Sequence, residues 1–298
     1  MTGSMTSVTD RFARVALACA LSCAAGLAPI GAATPADLGK LLERAESAAD
    51  RSADTVHGRD PGRVSRFLQR ADQEIVRFGE ASRLEELQAA LARARQEADA
   101  GRLESAGQAV REARQILPVL SDYSVTRQAE VGGRLALLAV EGGDGKTFIE
   151  ALDTLEGAVL PGTLQAHLRG AREAVARGRK AMARRDTKGG ASAIADLQGS
   201  LRGLRYAGAL SRALFTLQVG SELLRDAALL AAKDQVRQAL RDLKLAVAIA
   251  PESQREALEE VRSRIFEVWR RMTRPEDEDA GRLQTLGEEL AAIRARQT

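Results

Sequence analysis

The chain has 298 residues, only 3% of them aromatic, and its 44 lysines and arginines nearly balance 41 aspartates and glutamates. Acids are threaded among the arginines, as in Glu85, Glu86, Arg93, Arg95 and Glu97. That pattern argues for salt-bridged solvent faces and against a nucleic-acid surface, where cations cluster.

Residues 1–33 read as a signal peptide. Arg11 and Arg14 precede an uncharged apolar run from Val15 to Ala28, and Gly31-Ala32-Ala33 supplies small residues before Thr34. The run is mostly Ala, Gly, Ser and Cys, a poor membrane span, so cleavage near Ala33 is expected and a retained anchor or lipid-modified Cys23 is the alternative. The expected location is periplasmic or secreted, with no stable membrane span after cleavage. Both cysteines, Cys19 and Cys23, lie in this segment, so a processed chain has no disulfide, thiolate zinc site or thiol nucleophile. Without Arg11, Arg14 and Asp10, 42 basic residues face 40 acidic ones.

From Pro35 onward the apolar spacing is helical. Leu38, Leu41, Ala45, Ala48 and Ser52 form one stripe, broken at His57–Gly62. Val64, Phe67, Ala71 and Ile75 form the next; Leu84, Leu87, Leu91 and Ala98 a third; and Leu103 to Leu117 a fourth, stopped by Pro118. Residues 34–120 are expected to form an N-terminal bundle and 121–250 a central one. The stretch from Arg134 to Thr147 is the least helical in character. Gly145-Lys146-Thr147 echoes a phosphate-binding loop, but Val140 stands where that loop needs its first glycine. A glycine-rich interhelical loop is expected there.

Pro161 to Pro251 reads as four helices, with stripes from Leu164 to Met182, Ile194 to Leu204, Leu210 to Ala228, and Val236 to Ala250. The turn Gly101–Val110 aligns without gaps on Arg185–Ile194, and a looser copy runs from Lys233 to Leu240, so a helical hairpin is reused. After Pro251, Leu258, Val261, Ile265, Val268 and Met272 face Leu283, Leu286, Leu290 and Ile293 across a C-terminal hairpin, residues 251–298. The fold class is all-α: antiparallel hairpins packed as bundles, with no sheet.

Catalytic chemistry is not legible. His57 and His167 stand apart, as a loop and a surface helix residue, and no catalytic residue, metal site or cofactor is expected. Tyr123, Tyr206 and Trp269 are the candidate ligand- or partner-binding residues; Phe266 and Trp269 should face the bundle or a second subunit.

The run Ala181–Ala191, holding Arg185-Asp186-Thr187-Lys188-Gly189-Gly190-Ala191, then a helix with Leu197, a long helix, and Leu229-Leu230-Ala-Ala-Lys233 before Ala239 and Leu243, resembles the YfdX family. Its members are exported, all-helical bacterial proteins with a Gly-Asp-Lys-Lys-Gly-Ala kind of turn. Here that turn has one residue more, and the likeness covers about a third of the chain. Asp122-Tyr123-Ser124 echoes the family's tyrosine-containing segment. The resemblance implies an envelope protein of stress tolerance, with no established catalytic residues. Three readings stay open: a binding protein with an unknown protein or envelope component as partner, an enzyme using carboxylates in a cleft, and a homo-oligomer built through the C-terminal hairpin.

Overall fold

Four of the helices start where a side chain accepts from their first N–H groups. Thr34 opens α1 (Pro35–Thr55) with a reciprocal cap: Asp37 N–H donates to its hydroxyl and the Asp37 carboxylate accepts from Thr34 N–H. Asp60 caps α2 (Pro61–Ser82), Asp144 caps α6 (Gly145–Val159) and Asp186 caps α8 (Thr187–Arg225). The other helices are α3 (Leu84–Asp99), α4 (Leu103–Ile116), α5 (Thr126–Gly142), α7 (Pro161–Ala183), α9 (Leu229–Ile249), α10 (Glu252–Arg271) and α11 (Asp277–Ala295), with a 3-10 turn over Leu117–Tyr123. This computed structural model describes residues 34–58, 60–123 and 126–296, and among them there is no strand. The fold is an all-α bundle. The expected signal peptide lies outside the described residues.

Four helix-to-helix turns share one geometry. Gly101, Gly143, Arg185 and Ala227 each take a left-handed conformation and are followed by one residue before the next helix. In each, two backbone bonds close the turn, as when Gly101 N–H reaches Ala98 O at 2.9 Å and Arg102 N–H reaches Glu97 O at 2.8 Å. The same pair recurs at Ala227 N–H to Leu224 O, 3.0 Å, and Ala228 N–H to Leu223 O, 2.7 Å. These bonds satisfy carbonyls that the preceding helix leaves open. The aligned turns therefore share a geometry, but the third such turn is not where Lys233–Leu240 placed it. That run lies inside α9, and the turn is at Asp226–Ala228.

The stretch from Pro161 to Pro251 holds three helices rather than four. Leu204 and Leu210 belong to one helix of 39 residues, α8, about 58 Å long. Nothing between them breaks a helix, and Tyr206, Ala207, Gly208 and Ala209 are all buried there. α7 and α9 flank α8 as antiparallel neighbours, and α1 and α11 pack on it as well. Arg212 of α8 pairs with the buried Asp242 of α9 at 3.0 Å, and Gln238 also donates to that carboxylate. The stretch that looked least helical is helical too. α5 and α6 are joined only by Gly143 and Asp144, and Asp144 accepts from Lys146 N–H and Thr147 N–H, both at 3.1 Å.

The described residues form a single compact unit. In the C-terminal hairpin the seam residues from Leu258 to Met272 and from Leu283 to Ile293 are buried as the spacing requires. Arg294, near the end of α11, is buried and reaches across the bundle. Its guanidinium donates to Gly157 O at 3.2 Å, Ala158 O at 3.0 Å and Tyr123 O at 3.4 Å.

Candidate functional site

Two of the three aromatic candidates are core residues. Tyr123 is buried with its ring edge-on to Phe78 at 5.5 Å, and burial raises its phenol well above the ordinary range. Tyr206 is buried and donates through its hydroxyl to Gln254 Oε1 at 2.6 Å. The three aromatics do not converge on a site. Tyrosine's polar tip suggests a surface role from sequence, but each ring here is packed against neighbours.

Trp269 sits at a corner formed by α9 and α10. Its indole N–H donates to Lys233 O at 3.2 Å, so it packs on the neighbouring helix as expected. Phe266 stacks on it at 5.7 Å with 28° between the rings, yet remains 46% exposed. Only Trp269, then, faces the bundle. Lys233 Nζ and the Arg237 guanidinium lie over the indole at 5.4 and 5.6 Å.

His57 lies exposed in the turn after α1. His167 is more enclosed than a surface residue. Gly203 of α8 has no side chain, and its missing Cβ would lie 2.3 Å from the His167 ring. The imidazole fills that notch, and burial lowers its pKa.

The concave feature with the most chemistry is a cleft of about 670 Å³ between the bend joining α2 to α3 and the flank of α7. The bend is Arg83, left-handed at φ 52°, which turns the chain without a loop. The cleft has an apolar floor of Ile75, Leu84 and Leu168. One wall carries Glu80, Glu85 and Glu86, the other Arg169, Arg172 and Glu173. Those α7 residues and Gln165 recur at helical spacing, which puts them on one face. Arg83 pairs with Glu86 and holds its carboxyl below the ordinary range. No spacing rule could have joined residues 80–86 to 169–173; packing of α2 and α3 on α7 does so.

Among the described residues no group of three His, Cys, Asp or Glu side chains is placed to hold a metal ion. Among them, too, no helix is long and apolar enough to cross a membrane. Comparison with protein-family models, curated proteins and solved structures finds no match.

Proposed function

We propose that the protein is a non-enzymatic binding protein of the bacterial cell envelope, exported, YfdX-like and serving stress tolerance, with the α2–α3–α7 cleft as its binding surface. The cleft carries this reading. Its volume lies in the range of ligand pockets, its floor is apolar, and arginines on one wall oppose glutamates on the other. That chemistry suits an amphipathic protein segment bearing both charges, the kind of partner helix-lined grooves take. Export is supported by Arg11, Arg14 and the apolar run to Ala28.

Photo-crosslinking in cells from a reactive side chain at Val76, in the cleft, tests it. A discrete partner adduct is expected, and Arg169→Glu with Arg172→Glu should abolish it. An adduct indifferent to that double change would refute the assignment. Sequencing the cellular protein should find Thr34 near its N-terminus.

Two other readings have particular observations behind them. The four glutamates of the cleft favour an enzyme, but a general acid needs a carboxyl raised by burial, and these four are exposed. Val131, Leu135 and Leu138, exposed at i, i+4 and i+7 on α5, favour association of copies through that helix rather than through the buried hairpin seam. Sedimentation of Leu135→Ser against the parent chain tests the latter.

A further inference from the structure

The α9–α10 corner is built unlike the rest of the surface. Leu230 is 80% exposed at the start of α9, the most exposed of the chain's large apolar side chains among the described residues. Lys233 and Arg237 follow it at i+3 and i+7, on the same stripe. On α10, Phe266, Trp269 and Arg270 occupy i, i+3 and i+4. Lys233 Nζ donates to Met272 O at 3.0 Å, which fixes the two helices in register and brings these residues to one face. Asp234 pairs with Arg237 at 3.2 Å and offsets one of the cations.

We propose that this corner is a peripheral docking surface for an anionic lipid bilayer, with Leu230 and Phe266 entering the interface, Trp269 backing Phe266 at its edge, and Lys233, Arg237 and Arg270 meeting the headgroups. Each part fits that occupant. An aliphatic tip beside two aromatics, ringed by cations, is the composition of interfacial helices. The indole N–H is already satisfied by Lys233 O, so Trp269 can lie at the edge of an apolar layer without leaving a bare donor. The positive charge complements an anionic leaflet. A single-stranded nucleic acid fits less well, because it needs open aromatic faces for its bases. The Trp269 ring has Phe266 stacked against it and two cations over it. The corner is separate from the cleft, so either proposal can fail alone.

Trp269 is the chain's one tryptophan, so its fluorescence reports this corner and no other part of the molecule. The full chain is mixed with vesicles of equal parts phosphatidylglycerol and phosphatidylcholine bearing brominated acyl chains, which quench an indole on contact. Quenching is expected with these vesicles and not with brominated phosphatidylcholine alone. Lys233→Gln and Arg237→Gln should each weaken it roughly fivefold, as for one cation beside an anionic surface, and Leu230→Ser should largely remove it. Leu230 is so exposed that its replacement leaves the fold intact, which keeps the test valid if a charge variant misfolds. Unquenched Trp269, or quenching that survives Leu230→Ser, overturns the proposal. So does a Trp269 response to soluble polyglutamate equal to that with anionic vesicles, which would assign the corner to an acidic protein.

Discussion

Arg294 and Ala158 are joined by a hydrogen bond of 3.0 Å from guanidinium to carbonyl, 136 residues apart in the chain. Ala158 and Gly157 lie in the last turn of α6, where carbonyls lack helical partners. A cation at that end also meets the negative pole of the helix. Burial pushes the guanidinium down to about 10, so at neutral pH it stays charged and donates throughout. Arg294→Met should cost roughly 1–3 kcal/mol, because the carbonyls stay buried without donors. Arg294→Lys should recover only part of this, since one ammonium cannot span three acceptors. Urea unfolding midpoints measure both, and an unchanged midpoint for the methionine variant would show that Arg294 is not what satisfies those carbonyls.

His167 predicts a pH effect. Burial lowers its pKa from 6.5, so the folded state favours the neutral ring and the unfolded state takes up the proton first. The group's contribution is present above about 6.5 and is lost as pH falls through the lower folded value. Between pH 7.5 and 5, approximately, the melting temperature of the parent chain should fall relative to that of His167→Gln. The difference between the two isolates this ring from the carboxylates. A constant difference would show that the imidazole is fully solvated.

The four left-handed turns allow a reciprocal experiment. Ala227 adopts φ 59° with a Cβ, whereas Gly101 adopts φ 74° without one. Ala227→Gly should raise stability by about 1 kcal/mol, the penalty a side chain meets in that conformation. Gly101→Ala should lower it by a similar amount, since no atom lies within 4 Å of its missing Cβ and only conformation is at stake. Thermal unfolding of both variants checks this, and equal signs would sink it.

Close approach, rather than conformation, governs Gly132. A Cβ there would lie 2.8 Å from Leu155 N and 2.9 Å from Ala151 O, both backbone atoms that cannot swing aside. Gly132→Ala should force α5 and α6 apart at a cost of roughly 1–3 kcal/mol. Gly199→Ala is the control, because Gly199 lies at an exposed position of α8 and its Cβ meets nothing within 4 Å, and it should gain up to about 1 kcal/mol. If both behave alike, the contact at Gly132 is softer than its geometry.

Much of the fold was legible because a half-buried helix must repeat its apolar residues every three or four positions. Leu38, Ala45 and Ser52, or Leu258, Val261 and Ile265, are buried as their spacing demands. Pro118 and Pro251 follow the ends of α4 and α9, where a missing donor N–H stops a helix. Pro61 and Pro161 open α2 and α7, where the first N–H has no helical partner to lose. The continuity of α8 was hidden because that helix is buried on several sides, which blurs the stripe. The turn at Ala227 was hidden because a left-handed alanine leaves no glycine to announce it. Of the site residues, only Trp269 lies at a surface feature. The cleft and the corner depend on which helix flanks which, and that is decided by packing rather than by local pattern.

The long α8 joins the fates of the first and last described helices. α1 precedes it by more than a hundred residues and α11 follows α9 and α10, yet both lie along its sides. Buried side chains such as Leu201, Leu210, Leu217 and Leu224 run along much of its length. A fragment lacking either end keeps the spine but bares a strip of it, and bared apolar strips stick to one another. Shortening from either side should therefore produce a clumping species rather than a smaller stable protein. A nascent chain meets the same hazard: until its last helix emerges, the longest helix it has made is still uncovered along one flank.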